Sequence, residues 1–269
     1  MAGNDHSTPL ECLELSPAGQ PQAAIVWLHG LGADGHDFEP LFREGTGLPP
    51  GTRVVLPHAP HQPVTVNGGM RMRAWYDIAS ADLTAHADLE GISRSASGII
   101  ALLEGLEADG IDPGRIVLGG FSQGGVLALW AGLAYPRPLA GIAALSAYLP
   151  ADPPVSEAQG HTPLFLGHGQ HDSLIPFTLG EAARDRLPAL GTRPPEWHAY
   201  PVDHGVSETH EEGVPSVSVP AGGVYVVFVF EVIGISIRIR IRIRDSSFLR
   251  RLYERVATSR RDYKEYRET

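Results

Sequence analysis

Cysteine is almost absent from this chain of 269 residues, with Cys12 the single one. One thiol excludes an internal disulfide framework and any zinc cluster built on several thiolates of this chain. Lysine is as scarce, Lys264 standing alone, and 31 acids against 21 Lys and Arg give a formal net charge of −10. A nucleic-acid footprint needs a basic face, so no nucleic-acid partner is expected. No stretch approaches about 18 uninterrupted apolar residues, so no stable membrane insertion is expected either. The opening MAGNDHSTPL carries neither a basic patch nor an apolar run of signal-peptide length. With 43% hydrophobic and 19% charged residues, the composition supports a sizeable core. The expectation is a cytoplasmic globular protein.

What charge there is divides the chain in two. Residues 1–206 hold 10 Arg and no Lys against 22 acids, a net −12. Residues 207–269 hold 10 Arg and one Lys against 9 acids, a net +2. The first part is read as a catalytic-size domain and the second as an atypical basic, low-complexity tail.

Within the first part, short apolar runs alternate with helical patterns. AAIVWLHG (23–30), TRVVLPHAP (52–60), RIVLGGFS (115–122), PLAGIAALSA (138–147), TPLFLGHG (162–169) and WHAYPV (197–202) read as strands, mostly of the kind buried on both faces. Residues 87–110 repeat apolar side chains near a 3.6 period and stop at Gly110. Helical patterns also fill 124–135 and 177–190, where Pro188 should end or kink the second. Strand alternating with helix implies right-handed crossovers, hence a three-layer α/β fold around a mostly parallel sheet. Residues 61–80 break the rhythm: alternating Val64 and Val66 followed by Asn67-Gly68 give a hairpin signal, read as a small β excursion or loop over the strand ends.

Gly120-Phe121-Ser122-Gln123-Gly124 fits G-x-S-x-G between a strand and a helix, where a nucleophile elbow belongs. The glycines suit a strained turn with close neighbours, and the helix that starts there aims its positive end at developing negative charge. A plain Gly-rich strand-to-helix turn is the bland alternative. A nucleophilic serine needs a base and the base an orienting acid, in the order Ser, Asp, His for this architecture. Asp172 follows the fifth apolar run and His204 the sixth, both on the strand edge where the elbow stands. His168 and His171 remain competing bases. Gln123, directly after the nucleophile, offers one backbone N–H to an oxyanion. In the glycine-rich loop His29-Gly30-Leu31-Gly32-Ala33-Asp34-Gly35, Leu31 is the candidate for the other, and His29 is expected to fix that loop by hydrogen bonding. His168-x-x-His171-Asp172 has a superficial metal-ligand spacing, but no HExxH or cysteine pair supports it, and no metal is assigned. The same glycines lack the G-K-[ST] of a phosphate cradle.

Taken together, HGLGADGHDF, LPHAPHQPVTVNGGMRMRAWYDI, GGFSQGG, LSAYLP, HGQHD and YPVDHG occur in order across 23–205. This resembles the bacterial carboxylesterase/phospholipase family of α/β-hydrolases, which includes the acyl-protein thioesterases. The resemblance implies a serine esterase without a cofactor and without a large cap domain, acting on a small-molecule ester, an acyl-protein or a lysolipid. It implies Ser122, Asp172 and His204 as a triad, Leu31 and Gln123 as oxyanion donors, and Trp75 and Tyr76 beside the substrate groove. It leaves a homodimer open. Asp203 departs from the family pattern by placing a carboxylate beside the base, which would favour an imidazolium. The amphipathic helix that closes such domains is missing from its place.

The tail reads as foreign text. GVPSVSVPAGG (213–223) is a linker, VYVVFVFEVI (224–233) is β-prone, and ISIRIRIRIRD (235–245) alternates apolar residues with Arg at period two. Binding to an anionic surface is one reading. A shifted reading frame or repeat expansion is the preferred one, because the family pattern stops where the repeat starts. Residues 246–261 could form an amphipathic helix capped by Ser247. Two functions therefore compete: a working serine esterase, and an impaired hydrolase-like chain that its tail tethers to a surface.

Overall fold

All six expected strands lie in one sheet, with a hydrophobic core on each of its faces. The computed structural model describes residues 9–43, 48–83, 85–201 and 204, and the backbone of 224–232 and 235–243. The expectations for Asp203 and for residues 246–261 lie outside the described residues.

The strands, in chain order, are β1 (Cys12–Leu15), β2 (Ala23–Leu28), β3 (Thr52–Pro57), β4 (His61–Val64), β5 (Met70–Arg73), β6 (Ile116–Phe121), β7 (Gly141–Leu145), β8 (Leu164–Gly169) and β9 (Glu196–Tyr200). The helices are α1 (Gly35–Arg43), α2 (Leu89–Ala108), α3 (Gln123–Ala134) and α4 (Phe177–Arg186). The main sheet runs β1-β3-β2-β6-β7-β8-β9. Every neighbouring pair is parallel except β1 with β3. This is the expected three-layer α/β arrangement, with the antiparallel β1 as an added edge.

Period-two alternation sorts the buried strand residues between two cores. Val26 and Leu28 of β2, Val55 of β3 and Leu118 of β6 face a core completed by α2, α3 and α4 residues such as Ile99, Leu129 and Ala183. Ile25, Trp27, Val54, Leu56 and Val117 face a second core with Phe38, Leu41 and Phe42 of α1. Residues buried on both faces explain why the strands read as continuous apolar runs rather than alternating ones. Helix α3 is apolar all round and buried from Gln123 to Leu133, as a helix enclosed on every side must be.

Helix ends follow local chemistry. Asp88 caps α2 by accepting the Gly91 N–H at 2.8 Å, and its other oxygen accepts the Asp77 N–H. Helix α4 stops at Arg186 and passes into a 3₁₀ turn at Leu187–Leu190, because Pro188 has no N–H to continue the ladder. The hairpin expected over 61–80 is β4 paired antiparallel with β5. It docks on the loop after β2 through the Gly32 N–H, which donates to the Arg73 carbonyl at 2.8 Å. The connection from β3 to α2 holds this hairpin and no cap domain. In the tail, β10 (Val224–Val232) pairs antiparallel with β11 (Ile235–Ile243) in a sheet of its own.

Gly105 sits on the exposed side of α2, and a Cβ there would meet nothing within 4 Å. Gly105→Ala should therefore stabilise the protein by about 0.5–1 kcal/mol, through helix propensity and a less flexible unfolded chain. A thermal melt should show a rise of roughly 1–4 °C. A Cβ at Gly124 would lie 2.2 Å from the Leu28 carbonyl oxygen, so Gly124→Ala should abolish the cooperative melt.

Candidate active site

A parallel sheet puts the carboxyl ends of its strands on one edge, and there β6, β8 and β9 deliver three polar side chains to one point. β6 ends at Phe121 and α3 begins at Gln123, so the chain reverses direction at Ser122 alone. That residue has φ 54° and ψ −119°, a conformation side chains rarely adopt. The turn is held by the Ser122 N–H, which donates to the Leu145 carbonyl at the end of β7 at 2.8 Å. It also needs space: a Cβ at Gly120 would lie 2.4 Å from the Gly124 backbone.

His204, four residues past β9, places its Nε2 3.1 Å from Ser122 Oγ and its Nδ1 2.7 Å from Asp172 Oδ2. Asp172, three residues past β8, has a side chain fully removed from solvent. Its Oδ1 accepts the N–H groups of Leu174 and Ile175 at 2.9 and 2.7 Å. Those two bonds fix the carboxylate so that Oδ2 takes the Nδ1 proton of His204. The Nε2 lone pair of a neutral imidazole is then left facing the serine hydroxyl. The ring of Phe121 packs 4.8 Å from that of His204, centroid to centroid.

Of the competing bases, His168 stands behind Asp172, its Nε2 3.5 Å from Oδ2. His168 is buried, its Nε2–H donates to the Ile175 carbonyl at 2.9 Å, and burial lowers its pKa. It braces the loop that carries Asp172. His171 is exposed on the surface of that loop. No group of His, Cys, Asp and Glu suited to a metal ion occurs among the described residues.

The glycine-rich loop after β2 carries Leu31. Within it the Gly32 N–H goes to the Arg73 carbonyl and the Ala33 N–H to the Gly30 carbonyl. Among the described residues the Leu31 N–H has no such acceptor. The Gln123 N–H belongs to the first turn of α3, where helical amides have no internal partner. His29 fixes the loop as expected: its Nε2 accepts the Ala59 N–H at 3.0 Å, and its Nδ1–H donates to the Gly30 carbonyl at 2.7 Å. Burial pushes its pKa down to about 4, so the ring is neutral and this tautomer is the one the two bonds require.

Trp75 and Tyr76, expected beside the groove, are 1% and 2% exposed. The Trp75 indole N–H donates to the His29 carbonyl at 2.9 Å, beneath the loop rather than on its surface. The part played by the Gln123 side chain was not legible in the sequence. Its Oε1 accepts the Trp75 N–H at 2.8 Å and its Nε2 donates to the Tyr76 carbonyl at 2.7 Å. A polar residue on an otherwise apolar buried helix was the available signal.

A doubly covered parallel sheet with a serine at a strained strand-to-helix turn, beside an Asp-supported histidine, defines a serine hydrolase of the α/β-hydrolase class. The chain belongs to the phospholipase/carboxylesterase family, whose model matches residues 13–213. It is 35% identical over 187 residues to acyl-protein thioesterase 1 of Cryptococcus neoformans var. neoformans serotype D, covering 67% of this chain and 79% of that one. It is 38% identical over 183 residues to acyl-protein thioesterase 1 of Neurospora crassa, covering 63% and 74%. Among solved structures it is similar to Zea mays acyl-protein thioesterase 2, with 29% identity, a TM-score of 0.63 and coverage of 73% and 92%. The protein is a hydrolase of carboxylic ester or thioester bonds, and no described helix is long and apolar enough to cross a membrane.

The lowered pKa of His29 sets a pH dependence of stability. Unfolded, the ring protonates near its ordinary value of about 6.5. Folded, it stays neutral down to about 4. Between these values the unfolded chain binds a proton that the folded one refuses, so stability falls as pH falls. The contribution is complete above about pH 6.5 and amounts to on the order of 2–3 kcal/mol lost by pH 4.5. In urea unfolding, the stability difference between wild type and His29→Gln should narrow by that amount from pH 7 to 4.5. A constant difference would contradict the buried neutral ring.

Proposed function

We propose that Ser122 is the nucleophile, His204 the general base and acid, Asp172 the group that orients His204, and the Leu31 and Gln123 amides the oxyanion donors. The observation that carries this reading is the continuous contact from Asp172 Oδ2 through both nitrogens of His204 to Ser122 Oγ, at 2.7 and 3.1 Å. His204 Nε2 takes the serine proton as Oγ attacks the acyl carbon. The tetrahedral oxyanion is met by the two amides, with the positive end of α3 behind one of them. His204 returns the proton to the departing alcohol or thiol, leaving an acyl-serine. Water, deprotonated by the same nitrogen, attacks the acyl carbon, and His204 returns that proton to Ser122 Oγ as the acid leaves. Each step uses groups of the chain and water.

The substrate we propose is the thioester of an acylated protein, with lysophospholipids as a second acyl source. Similarity to the two fungal thioesterases supports the first choice. So does exposure: Ser122 is only partly buried and the His204 side chain is 10% exposed, so the reacting atoms lie close to the surface, where a protein-borne acyl chain can reach them. Residues 1–206 would then be the catalytic domain, and residues 207–269 an appendage that supplies no catalytic group. Trp75 and Tyr76 serve this site from below, as its floor.

Ser122→Ala should lower kcat by on the order of 10⁶, His204→Ala by nearly as much, and Asp172→Asn by about 10⁴. Hydrolysis of a palmitoylated peptide thioester and of a lysophospholipid, alongside short-chain esters, gives the rates and ranks the substrates. Near wild-type turnover by purified Ser122→Ala would overturn the assignment. Fast labelling of the wild type by a fluorophosphonate is expected, whereas an impaired, tethered chain would not label.

A further inference from the structure

We propose that the side chains of Gln123 and Trp75 are positioning residues for the oxyanion site, setting the spacing between the Leu31 and Gln123 amides. This rests on reading those two amides as the oxyanion donors. They are far apart in sequence, and the sheet does not hold them together. The last rung pairing β2 with β6 is Leu28 with Gly120, so each amide lies three residues beyond the end of the ladder, on its own loop. A misplacement of about 1 Å in a catalytic group can lower a rate by about 10². Something past the ladder has to fix the gap.

Trp75 touches both sides of it. Its indole N–H donates to the carbonyl of His29, two residues before Leu31, at 2.9 Å. Its own backbone N–H donates to Gln123 Oε1 at 2.8 Å. Gln123 Nε2 closes the link by donating to the Tyr76 carbonyl at 2.7 Å. Ser95 Oγ, on α2, donates to the Trp75 carbonyl and ties this bridge to the first core. On the far side the His29 ring, 5.1 Å from the Trp75 rings, takes the Ala59 N–H and holds the Gly30 carbonyl.

Burial gives the bridge its stiffness. Gln123, Trp75, Tyr76 and His29 are exposed by 3%, 1%, 2% and 0%. In such surroundings no water can replace a lost partner, so the bonds resist slippage. Both hydrogen-bonding ends of the Gln123 amide are used on one short backbone segment, which leaves a single orientation for the side chain. A residue needed only to fill that volume would require neither end. The oxyanion bonds strengthen in the transition state, so loosening this bridge should lower kcat and leave KM nearly unchanged.

Two variants test it in the full chain. Gln123→Met keeps the length of the side chain and removes both bonds; Trp75→Phe removes the indole donor. For each, kcat and KM are measured on a short-chain ester, together with Ki for a trifluoromethyl ketone, whose serine adduct places an oxyanion against the two amides. The expected result is a kcat lower by about 10- to 100-fold, a KM within about twofold, and a Ki raised by the same factor as kcat falls. If Gln123→Met does not fold, Trp75→Phe carries the test. Values of kcat and Ki within twofold of wild type in the folded variants, with Ser122→Ala inactive, would overturn the positioning role and leave the nucleophile standing. A lower melting temperature with unchanged kcat per folded molecule would overturn it too, as a packing role. Active Ser122→Ala would remove the reading on which the inference rests.

Discussion

At Ser122 the chain reverses direction within a single residue, between the end of β6 and the start of α3. A non-glycine residue at φ 54° and ψ −119° is held against its own preference, at an expense on the order of 1–3 kcal/mol. The surrounding structure over-determines it. The Ser122 N–H is tied to β7, Gly120 lies against the Gly124 backbone, and Gly124 lies against the carbonyls of Leu28 and His29 at the end of β2. The same contacts that strain the serine bring the first turn of α3 beside the loop carrying Leu31. The strained serine and the placing of the two loop amides are therefore products of a single packing arrangement.

The core accounts for that arrangement. Helix α3 is enclosed on all sides, by the sheet beneath and by α2 above, and its eleven leading residues are buried. A helix in that position cannot slide or rotate without opening the core, which fixes where its first amides point. Electrostatics complete the site in the same spirit. Asp172 spends one oxygen on the backbone of its own loop and the other on His204, while His29 and His168 are kept neutral by burial and act as braces. His29 and His168 thus act as struts, whereas His204 lies between Asp172 and Ser122, according to the partners each ring meets.

The sequence carried the parts of this design that repeat a simple pattern. Strands buried on both faces leave unbroken apolar runs, and β2, β6 and β8 were legible for that reason. The elbow was legible because its glycines are steric requirements. Helix α1 was not, because Pro40 lies inside it and Gly35 opens it, two local signals against a helix. What stabilises α1 is tertiary: Phe38, Leu41 and Phe42 in the second core, with Asp34 and Asp37 each accepting a backbone N–H at its start. β1 is four residues long and half-exposed, too short for a period to show. The burial of Trp75 beneath the loop was not legible, since sequence gives proximity to a motif and not depth. The double hydrogen bond of the Gln123 side chain joins segments nearly fifty residues apart, a distance over which local pattern carries no information.

If Ser122 is the nucleophile, catalysis passes through an acyl group on its Oγ. Rapid quenching of the enzyme with a slowly released acyl ester, followed by mass spectrometry of the intact chain and its peptides, tests this directly. The predicted result is one acyl increment per chain, located on the peptide containing Ser122 and lost with the kinetics of turnover. Steady hydrolysis with no acylated chain at any quench time under conditions where deacylation is rate-limiting, or an increment on a peptide lacking Ser122, would contradict it.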